Sequence, residues 1–259
     1  MTGIKSYLFF WTGQFMYIGK AMNTSIHDHH AIQIALSFDS FFTIQLRDQS
    51  SLNVKAAIID SDQPHECRTN DATFLLLNID PETNIGKALK RLYFTHQGIA
   101  ELATEHTAEF IQEIEKCLTG NMLNGRFIYE ITRQFLSKLS LVQDTGIIDE
   151  RISEVLKLLN NVNDAAIKVN DLAGKVFMSQ SRLIHLFKEQ VGIPIRKYIL
   201  WTKVLLVLKK VFETKNIREA AFYAGFSDAP HFNRTFKKMF GLHPTSILKN
   251  SQNVQAFFE

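Results

Sequence analysis

The sequence predicts an α+β protein of two domains, with an N-terminal β-sandwich or small barrel followed by helices, and an all-helical C-terminal domain. Short apolar runs with the two-residue period of strands fill about residues 1–80, and turn formers separate them. Helical periodicity begins near residue 83 and continues to about residue 250. The 259-residue length also fits two domains, at roughly 150 residues each.

Six short runs rich in β-branched and aromatic residues predict the strands. The predicted strands are Leu8–Phe10, Phe15–Ile18, Ile32–Leu36, Phe41–Leu46, Val54–Ile59 and Phe74–Ile79. Many short strands at this spacing are typical of a sandwich or small barrel, and a single sheet is the alternative.

Three amphipathic helices are predicted over about residues 83–140, and the last has an apolar stripe. The stripe consists of Phe127, Ile131, Phe135 and Leu139. It either packs against the strands or forms an antiparallel seam with a second copy. A homodimer through helices within residues 107–140 is therefore one interpretation.

A polar stretch, Gln143–Asp149, marks the domain boundary. It separates a first domain over residues 1–145 from a second over residues 150–250. The helices predicted in the second domain lie near residues 151–160, 169–176, 180–190, 195–212, 217–224, 229–239 and 245–250.

Charge is distributed unevenly between the two parts of the chain. Residues 1–150 hold 12 Lys and Arg against 18 Asp and Glu, whereas residues 151–259 hold 17 against 8, a net +9. This excess favours contact of the second domain with a polyanion. No apolar run approaches the ~18 residues of a membrane span, and no signal peptide is evident. We therefore expect no membrane partner and a cytoplasmic location.

One segment of the second domain occurs twice. Phe187–Pro194 reappears as Phe236–Pro244 at an offset of 49 residues. Upstream of each copy, a helical stretch ends in a turn, and Ser179 or Asp228 follows as a good N-cap for the next helix. Each copy therefore predicts a helix-turn-helix unit.

The turns of the two units are expected to differ. Gly225 takes a positive φ without steric cost, whereas Phe177 at the matching position does not. The helix between the units is predicted over Ile195–Phe212. Its length of about 27 Å is close to the ~34 Å repeat of the DNA major groove.

The outer faces of the second helices carry side chains of the kind that contact base edges and phosphates. The predicted DNA-binding residues are Gln180, Ser181, Arg182, His185 and Lys188 in the first unit, and His231, Asn233, Arg234, Lys237 and Lys238 in the second. A plain helical hairpin is the alternative for a single unit. Two matched copies with basic faces favour binding to double-stranded DNA.

Residues 151–250 resemble the AraC/XylS family of bacterial transcription regulators. The resemblance rests on Ala221–Pro244, which has the family's Gly-Phe turn, its Arg, its Phe-Lys pair and its closing Gly and Pro. It implies a sequence-specific regulator of promoter DNA that is not an enzyme and that has RNA polymerase as a further partner. It also implies a cupin-like N-terminal domain that senses a small-molecule effector.

The effector site is predicted at a group of histidines. His27 and His29 share a face if their segment is a strand, and with Gln33 and His65 they are the predicted effector-binding residues. Imidazoles also suit a divalent metal. However, the glutamate that follows the His-x-His of metal-binding cupins is missing here. The sequence therefore favours a metal-free pocket, and no catalytic residue, metal or cofactor is predicted.

Two other functions stay open at the level of the sequence. A cupin-type metalloenzyme with a basic helical appendage would use the same histidines. A DNA-binding protein whose N-terminal domain only dimerises would need no effector. No motif identifies the operator, the effector or the sign of regulation.

Overall fold

The computed structural model of the chain describes residues 6–20, 25–47, 50–68, 73–95, 97–120, 123–142, 149–160, 168–240, 244 and 254–258. Within these ranges eight strands precede the first helix, and the predicted two-domain α+β class is confirmed. None of the described helices is both long and apolar enough to cross a membrane.

Ten strands form two sheets in the described part of the chain. They are β1 (Ser6–Trp11), β2 (Gln14–Lys20), β3 (Ile32–Ser37), β4 (Phe42–Leu46), β5 (Ser51–Val54), β6 (Ala56–Ile59), β7 (His65–Arg68), β8 (Thr73–Ile79), β9 (Ile99–Glu101) and β10 (Val254–Phe258). The larger sheet has the order β10-β1-β2-β8-β3-β6-β9, and the smaller has the order β5-β4-β7. The predicted strand Val54–Ile59 is thus divided between two sheets, and the sequence missed β7, β9 and β10.

Nine described helices begin after β8, with bounds close to those that periodicity predicts, while β9 lies between the first two helices and β10 follows the last. They are α1 (Asn84–Tyr93), α2 (Thr104–Thr119), α3 (Gly125–Ser140), α4 (Glu150–Asn160), α5 (Val169–Lys175), α6 (Gln180–Val191), α7 (Ile195–Thr214), α8 (Ile217–Tyr223) and α9 (Ala229–Phe240). Side chains of Thr83 and Asn124 accept hydrogen bonds from the first turns of α1 and α3, as N-caps do. The helix predicted at 245–250 lies outside the described residues.

The larger sheet is covered on both faces. Because side chains along a strand alternate in direction, neighbouring residues of β1 lie in different cores. Phe9 and Trp11 of β1 lie in a core formed with α1, α2 and α3. Their neighbours Leu8 and Phe10 lie in the core of the helical domain α4–α9. Farther along the sheet, the small sheet forms a third core whose members include Phe42. The helical domain therefore packs directly on the sheet rather than hanging from a linker.

The apolar stripe on α3 is largely used within the chain. Phe135 and Leu139 are buried in the core between the sheet and the helices, and the Phe135 ring stacks on Phe110 at 4.2 Å between centroids. Phe127 is 48% exposed. The interpretation of this stripe as a dimer seam is thus wrong for Phe135 and Leu139, because both are already buried within the chain.

A buried carboxylate joins the sheet to the helical domain. Asp80, directly after β8, is 3% exposed. Trp201 Nε1 of α7 donates a hydrogen bond to its Oδ2 at 2.8 Å, and Lys197 Nζ lies 3.4 Å from the same oxygen. A buried charge requires such partners, so this contact holds α7 against the end of the sheet. Strand β10 adds a second connection, because it pairs in parallel with β1 at the sheet edge.

Candidate functional site

Helices α5–α6 and α8–α9 form the two helix-turn-helix units that the repeat predicts. In the first turn, Met178 N donates to Ala173 O at 2.9 Å. In the second, Phe226 N donates to Ala221 O at 3.0 Å. The small Ala173 and Ala221 are both buried, which allows the second helix of each unit to pack closely against the first.

The two turns have the same backbone conformation, so the expectation that they differ is wrong. Phe177 has a φ of 53° and Gly225 a φ of 74°. Each residue also donates its N–H to the carbonyl three residues earlier. The turn geometry imposes the left-handed region on Phe177 despite its Cβ. Phe177 is 96% exposed, so its side chain makes little buried contact that would offset the strain of this conformation.

Helix α6 presents the predicted polar face of the first unit. Ser179 Oγ accepts a hydrogen bond from Arg182 N at 3.3 Å and so caps the helix. The opposite face, which includes Leu183 and Phe187, is buried in the core of the helical domain. The predicted DNA-binding residues of this helix are exposed, except that Gln180 is half-buried: Gln180, Ser181, Arg182, His185 and Lys188.

Helix α9 presents the second face. Asp228 Oδ1 accepts a hydrogen bond from His231 N at 2.6 Å, and this bond lowers the pKa of the Asp228 carboxyl. Of the predicted residues, His231, Arg234, Lys237 and Lys238 are exposed. Asn233 differs, because it is half-buried and its Oδ1 is buried without a hydrogen-bond partner in the part of the chain that the structure describes. Asn233 is therefore less available to a base edge than its neighbours.

Helix α7 connects the two units and runs two residues beyond its predicted end. It has 20 residues, which corresponds to about 30 Å. Seven of its residues form a buried face: Ile195, Tyr198, Trp201, Val204, Val207, Leu208 and Val211. These side chains share one core with residues from both units, so the units have a fixed spacing.

The structure adds two cations that the sequence analysis missed. An open cleft of about 420 Å³ lies where α5, α6 and α7 meet, and Lys168 and Arg196 line it together with Gln180. Lys168 directly precedes α5, and Arg196 is the second residue of α7. Neither residue therefore belongs to a predicted recognition helix. Their only sequence signal is positive charge beside a helix-turn-helix unit.

The structure brings the three predicted histidines together in the N-terminal domain. His27 forms an isolated antiparallel bridge with His65, the first residue of β7. His27 itself lies outside the described strands, although the sequence predicted a shared face on the condition of a strand there. One nitrogen from each of His27, His29 and His65 lies within 4.8 Å of the others. His29 and His65 are 3% and 0% exposed, and Gln33 is 4% exposed.

The orientation of each imidazole is set by a backbone carbonyl. The Nδ1 atoms of His27, His29 and His65 lie 2.9, 3.0 and 2.8 Å from the carbonyl oxygens of residues 25, 31 and 63. Burial lowers the pKa of His29, and it lowers the pKa of His65 to about 3. These two rings are thus neutral at pH 7, and each donates from Nδ1 and keeps its lone pair on Nε2.

Residue His30 connects this histidine cluster to the second recognition helix. His30 N donates a hydrogen bond to Lys238 O in the last turn of α9, at 2.9 Å. His30 Nδ1 lies 2.9 Å from Asp62 Oδ2, and Asp62 N donates to His29 O at 2.8 Å. Sequence reasoning missed this connection because residues 30 and 238 have no shared local pattern.

Comparisons with known proteins agree with this geometry. Residues 172–250 match a family described as a helix-turn-helix domain. The chain is 30% identical over 103 residues to the Msm operon regulatory protein of Streptococcus mutans, across 39% of this chain and 37% of that protein. It is 28% identical over 155 residues to the probable transcriptional regulator LumQ of Photobacterium leiognathi, across 58% of each.

The fold as a whole is similar to that of ToxT from Vibrio cholerae. The TM-score is 0.50 with 12% identity, over 92% of this chain and 98% of that chain. The matched region spans 37% and 58% of the two curated relatives. The sequence likeness to regulators of transcription therefore covers only part of the chain, whereas the likeness of fold covers nearly all of it.

Proposed function

We propose that this chain, whose C-terminal domain is a double helix-turn-helix domain similar to those of AraC/XylS regulators, is a sequence-specific DNA-binding regulator of transcription. The observation that carries the proposal is the duplicated unit. Two recognition helices with the same turn and exposed cationic faces lie at the two ends of one buried helix. A single chain can thereby reach two successive turns of a DNA duplex.

The two recognition helices would have different roles. Helix α6 carries Arg182 and His185 on its exposed face, and these side chains can donate to guanine or other acceptors in the major groove. Helix α9 carries Lys237 and Lys238 near its end, where flexible ammonium groups suit phosphates. We assign base reading chiefly to α6 and backbone contacts chiefly to α9.

The remaining assignments follow from this role. We place the N-terminal domain at residues 1–145 and the DNA-binding domain at residues 150–250. We assign the first domain to sensing a small molecule near His27, His29, Gln33 and His65. The protein would act in the cytoplasm and would bind promoter DNA near RNA polymerase. It would not be an enzyme. Any dimer would form through the surface of α2 and α3 that remains exposed.

Selection of bound fragments from genomic DNA with the full chain tests the proposal. We expect a shared sequence motif, with an affinity that decreases steeply as salt rises because Lys and Arg contacts release counterions. Arg182→Ala should relax the selected motif at one base pair, whereas Arg126→Ala, an exposed arginine in the N-terminal domain, should leave it unchanged. Fragments without a common motif, or binding independent of salt, would contradict the proposal.

A further inference from the structure

We propose that His27, His29 and His65 form a binding site for a divalent transition-metal ion such as zinc. When bound, this ion adjusts the position of recognition helix α9. The first part concerns the histidine cluster alone. The second part rests on the proposed function, because it concerns the affinity for DNA.

Each of the three rings already has the hydrogen bond that a metal ligand needs on its other nitrogen. Metal-ligating histidines commonly donate the second ring N–H to a carbonyl, which fixes the tautomer and the ring orientation. All three Nδ1 atoms lie at hydrogen-bond distance from backbone carbonyl oxygens. This leaves Nε2 of each ring as the coordinating atom, on rings whose centroids lie 4.6 to 5.7 Å apart.

The strongest sign of a missing ligand is the Nε2 atom of His65. This residue has no exposed surface, and its Nε2 is buried without a hydrogen-bond partner among the described residues. Buried polar atoms normally have a partner, and a free Nε2 lone pair on a ring whose centroid lies 4.6 and 5.3 Å from those of His27 and His29 can bind a cation. A metal ion would supply the partner that the protein does not.

Gln33 lies beside the same imidazole nitrogen of His29. His29 Nε2 lies 2.9 Å from Gln33 Oε1, while His29 Nδ1 lies 3.0 Å from Ala31 O. With Nδ1 as the donor, the Nε2 lone pair of His29 faces the side-chain amide of Gln33, whose oxygen and nitrogen exchange places by a flip. Two ligands of one tetrahedral zinc lie about 3.4 Å apart. The amide oxygen of Gln33 therefore lies near the place of a fourth ligand.

Imidazole nitrogens select late first-row ions such as zinc, nickel and copper over magnesium or calcium. Three histidines with one further position suit tetrahedral zinc. The nitrogens now lie within 4.8 Å of one another, so binding requires them to approach by about 1 Å or more. His27 is half-buried at the end of a loop and has the most freedom to move.

This contraction would reach the DNA-binding domain through residue His30. Its backbone follows the ligand His29 directly and donates to Lys238 O of α9. Asp62 fixes the same segment, because it pairs with the His30 ring and donates its N–H to His29 O. Movement of the histidines toward a bound ion would thus shift the His30 backbone, which is hydrogen-bonded to α9, or would make it more rigid.

Zinc titration of the full chain, stripped of metal, tests the site against a chromophoric chelator. We expect one zinc per chain, with affinity reduced at least 100-fold in His65→Gln and in His27→Gln, and unchanged in His106→Gln, an exposed histidine on α2. Circular dichroism controls for folding, and the half-buried His27 gives a variant that tolerates substitution. Absence of stoichiometric binding, or equal binding by His27→Gln and the wild type, would overturn the site.

The second part is tested with the selected DNA fragment, with zinc and with a chelator. We expect zinc to change the affinity at least fivefold in the wild type, less in Asp62→Asn and not at all in His27→Gln. Zinc binding without any change in DNA affinity would refute the coupling and leave the site intact. Zinc binding by a chain that binds no DNA in either state would instead refute the proposed function.

Discussion

The left-handed turn at Phe177 makes a quantitative prediction about stability. An L-residue with a Cβ in this region costs about 1–2 kcal/mol, and Phe177 has a φ of 53°. The ring is 96% exposed, so its removal loses little buried area. Glycine would remove the strain but would add about 0.5–1 kcal/mol of unfolded-state entropy. Phe177→Gly should therefore raise the free energy of unfolding by about 0.5–1 kcal/mol.

A matched control separates this effect from the loss of a phenyl ring. Phe222 is 79% exposed but lies inside α8, where glycine is a poor helix former. Phe222→Gly should lower the free energy of unfolding by about 0.5 kcal/mol, and Gly225→Ala should lower it by about 0.5–1 kcal/mol, because the added strain exceeds the loss of unfolded-state entropy. Equilibrium unfolding in urea measures all three variants. A Phe177→Gly protein as destabilised as Phe222→Gly would refute the reasoning about strain.

Two further predictions concern the DNA contacts and the domain contact. Arg182→Ala should cost about 1–3 kcal/mol of binding free energy at the preferred sequence and relax the preference at one base pair. Lys237→Ala should weaken the affinity for all sequences alike and reduce the slope of affinity against salt concentration by about 1. Competition assays with single-base variants distinguish the two, and the reverse pattern would exchange our assignments. Trp201→Phe removes the donor to the buried Asp80 and should lower the free energy of unfolding by about 1.5–3 kcal/mol. A change in the free energy of unfolding below about 0.5 kcal/mol would show that Lys197 and the Glu82 N–H satisfy this carboxylate without Trp201.

Local patterns were sufficient for the helices and for the repeat. Caps such as Ser179 and Asp228, and apolar spacing such as Leu183 to Phe187, act within a few residues and can be predicted from the sequence. Strand β7 was missed because its four residues include two charged side chains and show no alternation of apolar and polar residues in the sequence. Its pairing depends on β4, which lies about twenty residues earlier.

Features that depend on distant residues could not be predicted in this way. The turn at Phe177 follows the packing of α5 on α6 rather than the preference of phenylalanine. The histidines were identified by residue type, but their common orientation depends on carbonyls of residues 25, 31 and 63. The contact of His30 with Lys238 joins the two domains and has no local signature.

The central claim is that one chain places two recognition helices on one face of a duplex. Hydroxyl-radical footprinting of the full chain on its tightest selected fragment tests this most directly. With α7 as a fixed connector of 20 residues, we predict two protected regions on the same face, centred about 10 base pairs or 34 Å apart. A single protected region, or two regions on opposite faces of the duplex, would contradict the account.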